Sequence, residues 1–233
     1  MAAQCVAGDI HLTSGNSSGF TTSQGSYSIA VWINATSWSN AATQSFVGIY
    51  GPSPTPTAAL QIGTRGGGLV DCWTWGGTLL VSSAVVVANA VWHHVVYTFD
   101  GTSHRLYVDG SLSNTAAIGQ QVGQFTTVYI NGYPTGGAGE TAAYEVDSYA
   151  YYDRTLSDGE IMTIFNGRGA RHGIVDGLLA EYDFDELAQG LTCTAISDLS
   201  GRGNNLAVAG AGTTPITYSY AGAIASSNIR RVH

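Results

Sequence analysis

The stretch from Val91 to Asn114 limits the fold more than any other part of the chain. Trp92-His-His-Val-Val-Tyr-Thr-Phe99 is dense in β-branched and aromatic residues, Asp100-Gly101-Thr-Ser103 is a turn, and His104-Arg-Leu-Tyr-Val108 runs back. Asp109-Gly110 then opens a second tight turn into Ser111-Leu-Ser113. Asp-Gly between such runs marks a hairpin, because Gly accepts the positive φ these turns need. The same texture recurs along the chain. Residues 27–35 form a strand with Ile29, Val31 and Ile33 on one face and Ala30, Trp32 and Asn34 on the other. Residues 45–50 form another, closed by Pro52, Pro54 and Pro56, which cannot donate to a central ladder. Residues 59–63, 69–75, 79–87, 125–131 and 141–152 continue the series, with Gly66-Gly67-Gly68 splitting the first two.

One helix stands out. Ser157-Asp-Gly-Glu160 is a capping box, Ile161, Ile164 and Phe165 give one apolar stripe, and Asn166-Gly167 ends it. A short helix in such a chain is expected to plug the side of a sandwich. From Arg168 the character changes to a polar joint, a strand at 178–184 and a turn-dense loop at 198–205. The residues from Ala209 are small and polar and close with Arg230-Arg231, as an extended arm would. The expected fold is all-β: an antiparallel β-sandwich over residues 1–173 with one short helix, and a C-terminal β/arm extension over residues 174–233.

Composition sets the functional bounds. The chain has 233 residues, 44% of them hydrophobic, enough for one large domain with a sizeable core. Only 10% are charged, against about 25% in ordinary soluble proteins. All eight basic residues are Arg, and the formal net charge is −8, which argues against nucleic acid or an anionic membrane surface as partner. No run approaches the ~18 apolar residues of a membrane-crossing helix, so membrane insertion is not expected. No secretory signal is visible at the N-terminus, and the expected location is a virus particle, the chain being made in the host cytoplasm without a signal peptide, with an extracellular site as the alternative. The sequons Asn16-Ser-Ser18 and Asn34-Ala-Thr36 are therefore read as chance. Cys5, Cys72 and Cys193 are odd in number and lack CxxC spacing, so they are read as reduced and structural.

The hairpin Trp92–Gly110 resembles the central signature of laminin-G-like, concanavalin-A-like jelly-roll domains. Val146-Asp147-Ser-Tyr-Ala-Tyr-Tyr152 with Leu156-Ser157-Asp-Gly-Glu160-Ile161 resembles their closing strand and short helix, and Tyr27–Trp32 their early core strand. The likeness covers roughly residues 9–166. Gly177–Phe184 with Asp198–Asn205 is similar to what usually opens such a domain, here placed last, a layout that also looks like bacteriophage and prophage proteins of this type. The resemblance implies a jelly-roll fold that hosts lectins, adhesion modules, glycosidases and structural domains alike. The leading expectation is a non-enzymatic virion surface component (a capsid decoration, head-fibre or tail-associated protein) that self-associates or meets other capsid or tail proteins. The alternatives are a lectin that recognises cell-surface polysaccharide, and a β-glycosidase.

The candidate sites follow. Retaining glucanases of this fold carry an E-x-D-x-E strand; here it reads Glu145-Val-Asp147-Ser-Tyr149, so the third carboxylate is missing and catalysis is not expected. His93 and His94 look like a metal pair, but adjacent strand residues face opposite ways. No cofactor is required by the pattern. Calcium at a sandwich rim is the candidate metal, with Asp100, Asp109, Asp147 and Asp198 as oxygen ligands at turns or strand ends. Trp73 with Trp75, and Tyr149 with Tyr151, share strand faces and are the candidate sugar-stacking aromatics if exposed, core if buried. Trp32 and Trp92 are read as core, since they sit in the strands that match the family best.

Overall fold

Alternation in Tyr27–Ala35 (β3) sends Ile29, Val31 and Ile33 into one fully buried apolar layer. That layer is the inner face of the first of two antiparallel sheets in the computed structural model. The structure describes residues 2–5, 11–14, 25–39, 43–51, 59–74, 76–117, 125–130, 143–169, 172–185, 192–209 and 217–219. The other strands, in chain order, are Ala2–Cys5 (β1), His11–Thr13 (β2), Gln44–Tyr50 (β4), Ala59–Thr64 (β5), Asp71–Thr74 (β6) and Leu79–Ser82 (β7). There follow Trp92–Phe99 (β8), Ser103–Val108 (β9), Ser111–Ala117 (β10), Thr127–Ile130 (β11) and Tyr144–Tyr152 (β12). The last are Leu178–Tyr182 (β13), Ala195–Ile196 (β14), Leu206–Ala209 (β15) and Thr217–Ser219 (β16).

The first sheet runs β10-β9-β8-β3-β12-β1-β16, with β13 also paired to β12, and the second runs β14-β15-β2-β11-β4-β5-β6-β7. Along one side of β12 lies β3; along the other, β1 pairs with Tyr144–Val146 and β13 with Tyr149–Tyr152. The segment from residue 174 therefore supplies strands to both sheets, β13 and β16 to the first and β14 and β15 to the second. The rest of the expected arm, residues 210–216 and 220–233, lies outside the described residues. The strand expected to reach residue 87 stops at Ser82, because Ser83 N and Val87 N donate to Val70 O and Gly68 O instead.

The main core between the sheets holds Trp38, Phe46, Tyr97, Tyr149, Tyr151, Tyr182 and Phe184, all fully buried. A β-bulge decides which residues of β12 join it. Register shifts between Asp147 and Ala150, and Ser148 takes φ 52°. An extra residue flips the alternation. Before it, Tyr144 and Val146 point inward; after it, Tyr149 and Tyr151 do. Cys72 and Cys193 are free and buried, as a small apolar side chain would be.

Asp158–Gly167 forms α1. Ser157 Oγ accepts from Glu160 N, and the Glu160 carboxylate accepts from Ser157 N, so the capping box is present. The helix does not plug the side of the sandwich. It lies on the outer face of the first sheet, where Ile161 and Ile164 join Ala30, Val96, Tyr107, Ala150 and Tyr152 in a second apolar cluster. The apolar outer face of these strands requires a cover, and the helical stripe is that cover. No helix among the described residues is long and apolar enough to cross a membrane.

Candidate functional site

Burial corrects the aromatic candidates. Trp73 is 2% exposed, and Tyr149 and Tyr151 are wholly buried between the sheets, so none of the three can stack on a ligand. For the tyrosines the bulge at Ser148 is the cause; Trp75 lies outside the described residues. The four aspartates do not come together either. Asp100 and Asp109 sit at opposite ends of β9, Asp147 is inside β12 and Asp198 is in the C-terminal loop. Each is used by its own surroundings. Burial opposes ionisation of Asp100, but the hydroxyl and amide of Thr102, the amide of Ser103 and the Arg105 charge outweigh it and hold the carboxyl at about 2. Asp198 accepts from three backbone amides and the Ser200 hydroxyl. Among the described residues no three His, Cys, Asp or Glu are grouped to hold a metal.

The acid strand is also unlike a hydrolytic dyad. Glu145 accepts from Asn34 Nδ2 at 3.0 Å. Asp147 is completely buried, and burial pushes its carboxyl up to about 7, with the neighbouring Asp183 charge adding to the rise.

The structure instead builds a site from residues assigned to the core. Trp32 points to the outer face of the first sheet, not to its interior. Its indole stacks on Phe165 of α1 at 5.7 Å between ring centroids and 15° between planes. The His94 ring, paired with Trp32 in register, lies 5.1 Å from the indole and 5.9 Å from Phe165. Beside this stack opens a cleft of about 650 Å³, lined by Trp32, Ala90, Val91, Trp92, Asp109, Phe165, Asn166 and Arg168. That volume is within the range of small-ligand pockets. Trp92 and Phe165 are half-buried, so each offers part of a ring to the cleft.

Three segments make the walls. The loop before β8 is held by Ala90 N donating to Ala35 O at 2.8 Å and by Asn89 Oδ1 accepting from Trp38 N at 2.7 Å. The Asp109-Gly110 turn forms a second wall. Gly110 has φ 78°, and a Cβ there would lie 2.8 Å from Phe165 Cδ1, so only glycine lets the turn meet the helix. The C-terminal end of α1 is the third wall; Arg168 closes it in the left-handed region, φ 52°, with its amide donating to Phe165 O.

Two histidines set the electrostatics, and as expected they face opposite ways. His94 is buried with no partner on either ring nitrogen, and desolvation pulls its pKa down to about 4, leaving a neutral ring. His93 is different. Its Nδ1 lies 2.8 Å from Asp109 Oδ2 and its Nε2 lies 3.1 Å from Ala88 O. Both partners are acceptors, so the doubly protonated ring satisfies both. Burial works against the charge, but the Asp109 bond and charge, with the Ala88 carbonyl, raise the His93 pKa. Protonated His93 thereby ties two walls of the cleft together.

This pair has a pH signature. Because the folded pKa of His93 is raised, its contribution is complete below the unfolded value near 6.5 and is lost as pH rises through the folded value. Melting temperature is expected to fall as pH is raised from about 6.5 towards 8. The difference between the parent protein and His93→Asn should shrink over the same interval. Asp147 adds a fall of the same sign up to about 7, which the variant retains. A difference that stays constant with pH would refute the charged His93–Asp109 pair.

No curated protein matches the chain by sequence. Solved structures do match in fold. A proposed carbohydrate binding protein from Bacteroides ovatus superposes with a TM-score of 0.62 at 17% identity, over 91% of this chain and 61% of its own. The chain thus spans about three-fifths of that protein's length. A native heptameric SAP-like pentraxin from Limulus polyphemus superposes with a TM-score of 0.61 at 14% identity, over 90% of this chain and 94% of its own. The binding domain of Paraclostridial Mosquitocidal Protein 1 gives 0.50 at 14%, over 71% and 46%. The model of Laminin_G_3, described as the concanavalin A-like lectin/glucanases superfamily, matches residues 7–162, and with two antiparallel sheets stacked as that fold requires, the chain belongs to this family.

Proposed function

We propose that the protein binds carbohydrate, without cleaving it, in the cleft between the Trp92 loop, the Asp109 turn and the end of α1. The observation that carries this reading is the lining. Partly exposed aromatic rings, Trp92 and Phe165, stand beside the polar ends of Asn166 and Arg168. A sugar presents an apolar face and a rim of hydroxyls, and such a lining complements both. The carbohydrate binding named for the Bacteroides ovatus structure, and the binding domain named for the mosquitocidal protein, support the reading. The absence of hydrolysis is supported by the missing third carboxylate at Tyr149 and by the burial of Asp147.

A glycan array with the whole chain tests it, followed by titration of the best ligand. Trp92→Ala is expected to weaken binding about tenfold, the scale of one aromatic stacking contact with its buried area. An array without hits, or binding untouched by Trp92→Ala, would reject the cleft as a sugar site.

A second reading, a structural or adhesive component of a virion surface, is favoured by one observation. Charged residues are only 10% of the chain, and interface cores are depleted in charge. Mass spectrometry of purified particles tests it; particles lacking the chain would set it aside.

A further inference from the structure

Resting on the carbohydrate reading of the cleft, we propose that its ligand is an acidic saccharide, a sugar bearing a carboxylate or sulfate, and that Arg168 selects it. Five arginines are described, and four are engaged by the fold. Arg65 Nη1 donates to Gly77 O, Arg105 pairs with Asp100, Arg154 pairs with Glu160 and Arg202 Nε donates to Leu178 O. Only the Arg168 guanidinium, among these, makes no hydrogen bond or ion pair, and it lines the cleft.

Its position makes the residue harder to dismiss. Arg168 ends α1 with φ 52°, where glycine is the usual occupant because L side chains are strained there. A charged side chain kept in strained backbone at a cleft points to a role outside folding. The other charge in the lining is Asp109. Its Oδ2 meets His93 Nδ1 and its Oδ1 accepts from His94 N at 2.9 Å. With His93 protonated, that pair is neutral overall and the cleft keeps the positive charge of Arg168. A planar guanidinium fork matches a carboxylate in two parallel bonds and also accepts a sulfate. The net charge of −8 opposes an acidic ligand at long range, so selection has to come from this contact.

The groups facing His93 are Asp109, the Ala88 carbonyl and the edge-on Trp38 ring; His94 points to the other face and stays neutral. Once His93 loses its proton, the Asp109 charge offsets Arg168. The preference for acidic sugars therefore shrinks as pH rises.

The test is calorimetric titration of the full chain with three short oligosaccharides of equal length: a neutral glucan, a glucuronate-containing one and a sulfated one. At about pH 6 an acidic ligand is expected to bind about tenfold tighter than the neutral one, and the margin to narrow towards pH 8. The better of the two acidic arms identifies the anionic group. Arg168→Ala should erase the margin. Arg168→Gly should erase it with no loss in melting temperature, since glycine suits the backbone there. Equal binding of neutral and acidic ligands, or a margin that survives both variants, overturns the selection by Arg168 while the carbohydrate reading stands. Failure of all three ligands, together with an empty array, overturns both.

Discussion

Trp38→Ala is expected to cost about 3–5 kcal/mol, the usual range for removing a fully buried large aromatic. Trp38 lies in the connection between β3 and β4 and has no exposed surface. Its ring meets Phe46 edge-on at 5.0 Å, and Phe46 in turn packs against Tyr144 at 4.8 Å. Few neighbours can collapse into the space, because the backbone around it is pinned. Trp38 O accepts from Thr64 Oγ1 at 2.7 Å and from Gly68 N at 3.1 Å, and Trp38 N donates to Asn89. At about 2–4 °C per kcal/mol for a chain of this size, the melting temperature should drop by about 6–20 °C. Trp38→Phe keeps an aromatic edge against Phe46 and should recover part of the loss. The same connection anchors the Asn89 loop of the cleft, so Trp38→Ala should also weaken any cleft ligand. A melting temperature within about 2 °C of the parent would show that the connection is held by its hydrogen bonds alone.

What the sequence made legible was local. The alternation of β3, the Asp-Gly turns of the β8–β10 hairpins and the Ser157–Glu160 box each act within a few residues, and each is present. The cleft was not legible, because it needs residues 32, 90–92, 109, 165, 166 and 168 to meet, and only the register of β3 against β8 and the seat of α1 bring them together. One signal was available. Trp32 alternates away from Ile29, Val31 and Ile33, so it could not belong to their layer, and the stripe of α1 had to land on some apolar face. Tyr149 and Tyr151 failed for a different reason. A bulge inverts the facing of every later residue, and Ser148 gives no sign of one in the amino-acid pattern. The placement of β13 beside β12 is a pairing across about thirty residues, beyond the reach of periodicity.

That late strand supplies the second large effect. One side of β13 pairs with β12; the other is covered by the loop 198–204, with no second strand against it among the described residues. Leu199 N donates to Glu181 O, Asn204 Nδ2 donates to Leu179 O, and Arg202 Nε donates to Leu178 O. Asp198 organises this cover. Its Oδ1 accepts from Glu181 N at 3.1 Å and Ser200 N at 2.9 Å, and its Oδ2 from Ser200 Oγ at 2.8 Å and Asn204 N at 2.9 Å. Glu181 and Asn204 are buried, so Asp198→Ala leaves donors without acceptors where water enters poorly. The expected loss is about 3 kcal/mol, below the sum of four charge-assisted bonds because the exposed part of the loop can rehydrate. The melting temperature should fall by about 6–12 °C. Asp198→Asn should recover less than half, since its amide turns a donor towards either Asn204 N or Glu181 N. The uncovered edge of β13 should then admit protease within residues 198–205 and faster hydrogen exchange at the Glu181 amide, as a bare sheet edge would. If the loop stays protected in Asp198→Ala, then Leu199 and Arg202 hold it, and the carboxylate is not its organiser.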